Sequence, residues 1–328
     1  MEMGALLVAA GCEAYSAVPD SGLWSPSWPI LGKTVLQRWI ERVHGLGVGL
    51  VSVVDRNPQE SHRVQTIVDW AKEGVEQILL IVLGAYAEID LPDLIRFHSQ
   101  GQRQVTKVFD QQGPIGITLL DRGCLMKSSQ TNQDRDVPSS RYDFLGYVVR
   151  LSSTAKYRQL VEDALLGRCG IQPTGSQTQP NVWIDETARV DPSAQIEAPC
   201  YIGPGTRIRP GVMITGCSSV ERNSEIDLGT RLVHTSVQPN TYVAPGLYFR
   251  ESVVDGTKLE HLARGISVDL GTAGLAARIG TQARHGHRSP KLTLVSDLAR
   301  LYAKQGESDF AVLQRDQEPQ KDRRERLR

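Results

Sequence analysis

Residues 184–232 read IDETARVDPSAQIEAPCYIGPGTRIRPGVMITGCSSVERNSEIDLGTRL. Every sixth residue is aliphatic: Ile184, Val190, Ile196, Ile202, Ile208, Ile214, Val220, Ile226 and Leu232. With roughly a quarter of positions Ile, Val or Leu, an unbroken run of this length arises by chance on the order of 10⁻⁶ to 10⁻⁵ per starting point. A second register runs beside it. Four residues after each aliphatic stands a compact side chain: Ala188, Ala194, Cys200, Thr206, Val212, Ser218, Ser224 and Thr230. Pro192, Pro199, Pro204-Gly205, Pro210-Gly211, Gly216 and Gly229 punctuate the stretch. A period of six suits neither an α-helix nor the two-residue alternation of a sandwich. It suits short strands joined by tight corners around a shared apolar prism, a parallel β-helix. Three hexapeptides make one coil of about 18 residues, with coils stacked about 4.8 Å apart. Ile184, Ile202 and Val220 then share one ladder, and Val190, Ile208 and Ile226 another. After Leu232 the phase slips by one to Val237, Val243 and Phe249, then slips again to Val254. The reading carries the β-helix irregularly to about residue 270.

Upstream the periodicity changes. ALLVAA (5–10, running into Gly11), VGLVSVVD (48–55) and QILLIVLG (77–84) read as buried strands. Helices are expected at 33–44, 60–73 and 91–99, short strands near 103–109 and 115–121, a strand at 144–151 and a helix at 154–166. Alternating strands and helices imply a mostly parallel sheet covered on both faces. PTGSQTQPN (173–181) reads as a linker. The expected organisation is an α/β region over 1–172, the β-helix over 181–270, and a cap helix with a charged tail over 271–328. Gly45, Gly47 and Gly49 precede a strand, so they read as a helix-ending turn and not as a phosphate loop.

Composition narrows the function. The 37 Lys and Arg balance 37 Asp and Glu, which leaves no global field for nucleic acid or an acidic membrane surface. No run of 18 apolar residues suggests a membrane span. The N-terminal apolar run lacks a basic n-region and carries Glu2, so no secretory signal is expected. Cys12, Cys124, Cys169, Cys200 and Cys217 form no C-x-x-C pair, which fits neither a disulfide framework nor a zinc site and suits a reducing cytoplasm.

Several short motifs stand in a telling order. Ala9-Ala10-Gly11 ends the first strand, and Pro29-Ile30-Leu31-Gly32-Lys33-Thr34-Val35-Leu36 opens a helix. Leu83-Gly84-Ala85, Asp90-Leu91 and His98 follow, then Gly146-Tyr147-Val148-Val149-Arg150-Leu151-Ser152-Ser153 with Tyr157, and Pro180-Asn181-Val182-Trp183-Ile184. With these, residues 1 to about 260 resemble the sugar-nucleotide pyrophosphorylases of the mannose-1-phosphate guanylyltransferase type. The resemblance implies a Rossmann-like nucleotidyltransferase region, here shortened, followed by a left-handed β-helix. It implies attack of a sugar-1-phosphate on a nucleoside triphosphate, with Mg²⁺ held by two carboxylates. It places nucleotide contacts at Ala9, Ala10, Gly11 and Gly84, and phosphate or sugar-phosphate contacts at Lys33, Gly146 and Arg150.

The chain departs from that pattern where the chemistry lies. Ala85 and Arg150 stand at the two metal-binding positions, and neither ligates Mg²⁺. Cys12-Glu13-Ala14-Tyr15-Ser16 replaces the Gly-rich loop, and no lysine stands between the two prolines of Pro26-Ser27-Trp28-Pro29. The E-K-P element is not found. No catalytic residue and no metal ligand are assigned, and no cofactor is expected, with Mg²⁺ required only if activity is retained. Two readings follow: a nucleotidyltransferase homologue of nucleotide-sugar or surface-polysaccharide metabolism impaired in catalysis, or a non-catalytic regulatory or scaffold subunit. The expected partners are a nucleotide-sugar or sugar phosphate, and a second copy or a partner enzyme. A third reading, hexapeptide-repeat acyl transfer, rests on His234 or His261 acting as general base.

Overall fold

The computed structural model describes residues 3–8, 25, 27–54, 69–70, 72–123 and 139–279. Its N-terminal part is built on a six-stranded sheet. Strand β1 (Met3–Val8) lies between β4 (Leu50–Val54) and β5 (Gln77–Val82), parallel to both. Small pairs β2 (Pro29–Ile30) with β3 (Lys33–Thr34), and β6 (Ala85–Ala87) with β10 (Val148–Arg150), flank it. Beyond β5 the sheet is mixed. Strands β7 (Val105–Asp110) and β8 (Gly113–Asp121) form a hairpin, β8 runs antiparallel to β5, and β9 (Ser140–Asp143) lies parallel to β7. The expectation of a mostly parallel sheet holds with one exception, β8, which runs against the other five strands. A connection of only Gln111 and Gln112 leaves no room for a crossover, so the pair must run antiparallel. The strand expected over 144–151 is also shorter, because Phe144–Tyr147 bends between β9 and β10.

The helices begin where the sequence supplies caps. Helix α1 (Val35–Gly45) starts at Thr34, whose hydroxyl accepts from the Gln37 amide while the Gln37 side chain accepts from the Thr34 amide. This capping box is worth about 1 kcal/mol. Gly45 ends the helix and Gly47 turns left-handed at φ +79°, as the glycine spacing implied. Helix α2 (Leu91–Gln100) is capped by Asp90, and α3 (Thr154–Leu165) by Ser153. The helix expected over 60–73 lies outside the described residues except at its end, where residues 69–70 and 72–73 are helical.

From Val182 the hexapeptide rungs stack as their spacing dictates. One ladder runs Ile184, Ile202, Val220, Val237, Val254; the second Val190, Ile208, Ile226, Val243; the third Ile196, Ile214, Leu232, Phe249. The three ladders form the β-helix-like C-terminal region, with parallel pairing between successive coils. The compact corner positions have a physical role. Thr206, Ser224 and Thr230 are buried, and each hydroxyl donates to a carbonyl of the next coil, those of Glu221, Gln238 and Ala244. The phase slip is real geometry. The corner from Ile214 to Val220 contains two left-handed residues, Gly216 and Cys217, whereas those from Leu232 to Val237 and from Phe249 to Val254 contain one each, His234 and Glu251.

Two expectations at the ends of the coils are corrected. The linker contains a strand, Ser176–Gln179, which pairs antiparallel with the first coil strand Val182–Ile184. The parallel coils stop at Asp255 and do not continue to residue 270. The chain reverses at Gly256 (φ +60°) into antiparallel strands Lys258–His261 and Ile266–Asp269, and Ala276–Arg278 pairs antiparallel with Thr241–Val243. Antiparallel return strands satisfy the edge amides and carbonyls that a bare last coil leaves unpaired. Residues 276–278 are therefore a covering strand where a cap helix was expected to begin. Leu294, Val295, Leu298, Leu301 and Tyr302 of that helix, and the charged tail, lie outside the described residues.

The two regions share one apolar core: Tyr201, Cys217 and Val253 of the coils cluster with Trp28, Ile30, Leu31, Tyr157 and Leu160. Helix α3 lies between sheet and coil, which is why it is buried on most faces. Tyr157 donates to the Pro29 carbonyl at 2.8 Å and accepts from Gln238 at 2.9 Å, and Arg158 donates to the Cys217 and His234 carbonyls. The β2–β3 turn, Leu31–Gly32, is pressed against the coil. Both residues are left-handed, at φ +52° and +98°, the geometry of a two-residue hairpin turn in which Asn-Gly is the usual choice.

Two stability predictions follow from this packing. Ile208 is 2% exposed inside the prism while Arg207 points outward. Ile208→Asp is expected to cost several kcal/mol, because a buried charge finds no partner, and Arg207→Asp about 1 kcal/mol or less. A Cβ on Gly32 would stand 2.0 Å from Thr174 Oγ1 and 2.6 Å from Tyr201 Oη. Gly32→Ala is thus expected to cost about 2 kcal/mol or more. Denaturant unfolding of the three variants measures both; equal midpoints for the two Asp variants contradict the assigned register.

Candidate functional site

The resemblance singles out Gly84, Ala85 and Arg150, and the fold brings them together. Ala85 and Arg150 are direct cross-strand partners in the β6–β10 pair. The Leu151 amide donates to the Gly84 carbonyl at 2.9 Å, which continues that pairing. The two positions that would carry metal-binding carboxylates therefore face one another. Ala85 is 5% exposed and offers no oxygen ligand.

Arg150 is already engaged. Its Nη2 lies 2.5 Å from Asp110 Oδ1 and 3.1 Å from the Gly113 carbonyl, and its Nη1 lies 2.9 Å from the Pro114 carbonyl. The two side chains are 18% and 14% exposed, so water screens the pair little. The effect is to pin β10 to the β7–β8 turn, where Asp110 Oδ1 also accepts from the Gln112 amide at 2.7 Å. Both terminal nitrogens of the guanidinium fork are thus spent inside the chain. Mg²⁺ does not fit here: one position has no ligand atom, the other holds a cation, and the nearest carboxylate is bound to that cation. Among the described residues no group of three His, Cys, Asp or Glu side chains is placed to hold a metal ion.

The other singled-out residues play local parts. Lys33 Nζ lies 2.7 Å from Glu41 Oε1 at the surface. Gly146 lies in the bend before β10 with the Phe144 ring packed over it, 2.4 Å from where a Cβ would stand. The following Tyr147 donates to Asp163 at 2.7 Å and ties that bend to α3. Ala9, Ala10 and Gly11 lie outside the described residues, as does the 12–16 loop.

A cleft of about 440 Å³ opens where the two coil corners are one residue short. Helix α3 lines it with Arg158 and Glu162, the corners with His234 and Glu251, and the turn after the return strand with Leu262 and Ala263. The His234 ring packs over Gly216, so a Cβ there would stand 2.8 Å from it. The charges in this cleft are partly spent: Arg158 donates to two carbonyls, and Glu251 lies 3.4 Å from Arg250. His261 stands on the strand Lys258–His261, where burial, then Arg264, hold its imidazole below the ordinary range. No described helix is long and apolar enough to cross a membrane.

Sequence reading missed Asp110, since an aspartate before Gln-Gln-Gly looks like any turn residue. It also missed Glu221, a buried carboxylate in a stretch where charges normally face water. Comparison with known proteins adds no relative: no protein-family model matches the chain, and no curated protein matches it.

Removing the cation of a partly buried pair leaves its partner uncompensated. Arg150→Met is therefore expected to cost about 2–3 kcal/mol. Adding Asp110→Asn, which keeps an acceptor for Gln112, is expected to recover about 1 kcal/mol or more. A double-mutant cycle in urea reads the coupling, and a value near zero removes the proposed clamp.

Proposed function

We propose that this chain is a non-catalytic relative of the sugar-phosphate nucleotidyltransferases, a regulatory or scaffold subunit of nucleotide-sugar or surface-polysaccharide metabolism. On this reading it binds a nucleotide-sugar or a partner enzyme and does not transfer a nucleotidyl group. The supporting order of motifs runs from Ala9-Ala10-Gly11 to Pro180-Asn181-Val182-Trp183-Ile184, and the coils follow with left-handed sense on the same reading. One observation carries the loss of activity: Arg150 faces Ala85 and is neutralised by Asp110. Nucleotidyl transfer moves a highly charged phosphoryl group, and losing the metal forfeits several kcal/mol of charge stabilisation. A guanidinium bound to an aspartate and two carbonyls does not replace it.

Purified protein with Mg²⁺ and a panel of triphosphates and sugar-1-phosphates is expected to release no pyrophosphate above background. A nucleotide-sugar that binds the folded chain is expected to raise its unfolding temperature in a concentration-dependent way. Robust turnover abolished by a chelator overturns this reading.

A further inference from the structure

At the junction between sheet and coil lies a buried carboxylate, that of Glu221. Glu221 follows Val220 on its rung and is fully buried. Its Oε2 accepts from the Gly32 amide at 3.1 Å, while its Oε1 has no hydrogen-bond partner among the described residues. No cation lies within ion-pair distance of it among those residues. The charged and titratable groups facing it are Arg38 from α1, Tyr157 from α3, Tyr201 from the preceding coil and Arg222 beside it. Arg38 directs its guanidinium to the Ile30 and Gln172 carbonyls instead.

A second orphan acceptor stands on the next rung. Gln238 follows Val237 as Glu221 follows Val220, and those valines are register partners. Gln238 is fully buried and spends its amide nitrogen on Tyr157 Oη, so its Oε1 has no partner either. Two buried acceptors on adjacent rungs have no donor among the described residues, and a proton on Glu221 removes the charge that burial penalises there. The backbone pressed against this carboxylate is strained: Leu31, in the β2–β3 turn, is left-handed at φ +52°, a conformation that costs a branched residue energy.

We propose that Glu221 is a proton-operated latch: neutral, it closes the junction between the α/β region and the coil, and ionised, it loosens it. This is independent of the function proposed above. Burial pushes the carboxyl up to about 7, against the opposing pull of the Gly32 and Leu31 amides. The sign follows from that direction. A carboxyl that titrates higher in the closed state disfavours closure when ionised. The penalty is absent below the ordinary carboxylate range, grows as pH rises towards 7, and is constant above it.

The test is hydrogen exchange of the full chain from pH 5 to pH 8, expressed as protection factors. Gly32 and Leu31 amides are expected to lose protection on the order of a hundredfold over that span, while core amides of Leu6 and Leu79 keep theirs. Glu221→Gln mimics the neutral acid and keeps an acceptor for Gly32. It is expected to flatten the profile and to leave the junction more protected than the parent at pH 8. A flat profile in the parent overturns the latch, as does an equal loss at Leu6 and Leu79, or a Glu221→Gln profile with the parent's slope. The first two outcomes need only the parent chain, so they decide the matter even if the variant does not fold.

Discussion

Stacking of aliphatic side chains along the coil axis is the contact on which the rest of the molecule depends. The coil strands are two to four residues long, too short for any pair to persist in water by its hydrogen bonds. Each gains stability because its inward residue, such as Ile202 or Ile226, is fully removed from water between the rungs before and after it. At about 25 cal/mol per Å² of apolar surface, each buried rung contributes on the order of 2 kcal/mol. The result is a straight wall. Helix α3 and the Leu31–Gly32 turn rest on that wall, and through them the whole six-stranded sheet takes its position.

The wall also explains where the irregularities gather. The other corners keep the regular spacing, with Gly205, Gly211, Gly229 and Gly246 and the asparagines Asn223 and Asn240 supplying left-handed turns. The two shortened corners, at His234 and Glu251, lie where Arg158 of α3 reaches across to the His234 and Cys217 carbonyls. Losing one residue per corner draws the coil back and leaves the cleft beside α3. The same face carries the buried Glu221 and Gln238. Both side chains are buried at the surface that meets the other half of the chain.

Around Arg150 the facing strands β6 and β10 carry no carboxylate pair. A pair of carboxylates on facing strands repel and require a divalent cation between them. Alanine and arginine on those strands need none. The arginine brings its own positive charge, and Asp110 with the Gly113 and Pro114 carbonyls satisfies it internally. The consequence is a site whose charges are balanced within the chain, which favours a structural part for Arg150 over the phosphate contact implied by the resemblance.

The sequence by itself determined the coil. A six-residue aliphatic clock has one economical solution, and each rung contacts residues a constant 17 or 18 positions away, so local spacing carries the tertiary contact. It also determined α1 and α3 through their caps, and the phase slips after Leu232 and Phe249. The direction of β7 against β8 was legible in principle from the two-residue turn but hidden by the βα pattern upstream. Tertiary structure alone decided the rest. The antiparallel return at Gly256 and the strand within residues 173–181 form because exposed sheet edges need partners, not because their own residues favour strands. Asp110 meets Arg150 across 40 positions, and Gly32 meets Glu221 across 189. Such pairings obey no period. They depend on which surfaces the two halves bring together, and that information exists only once both halves have folded.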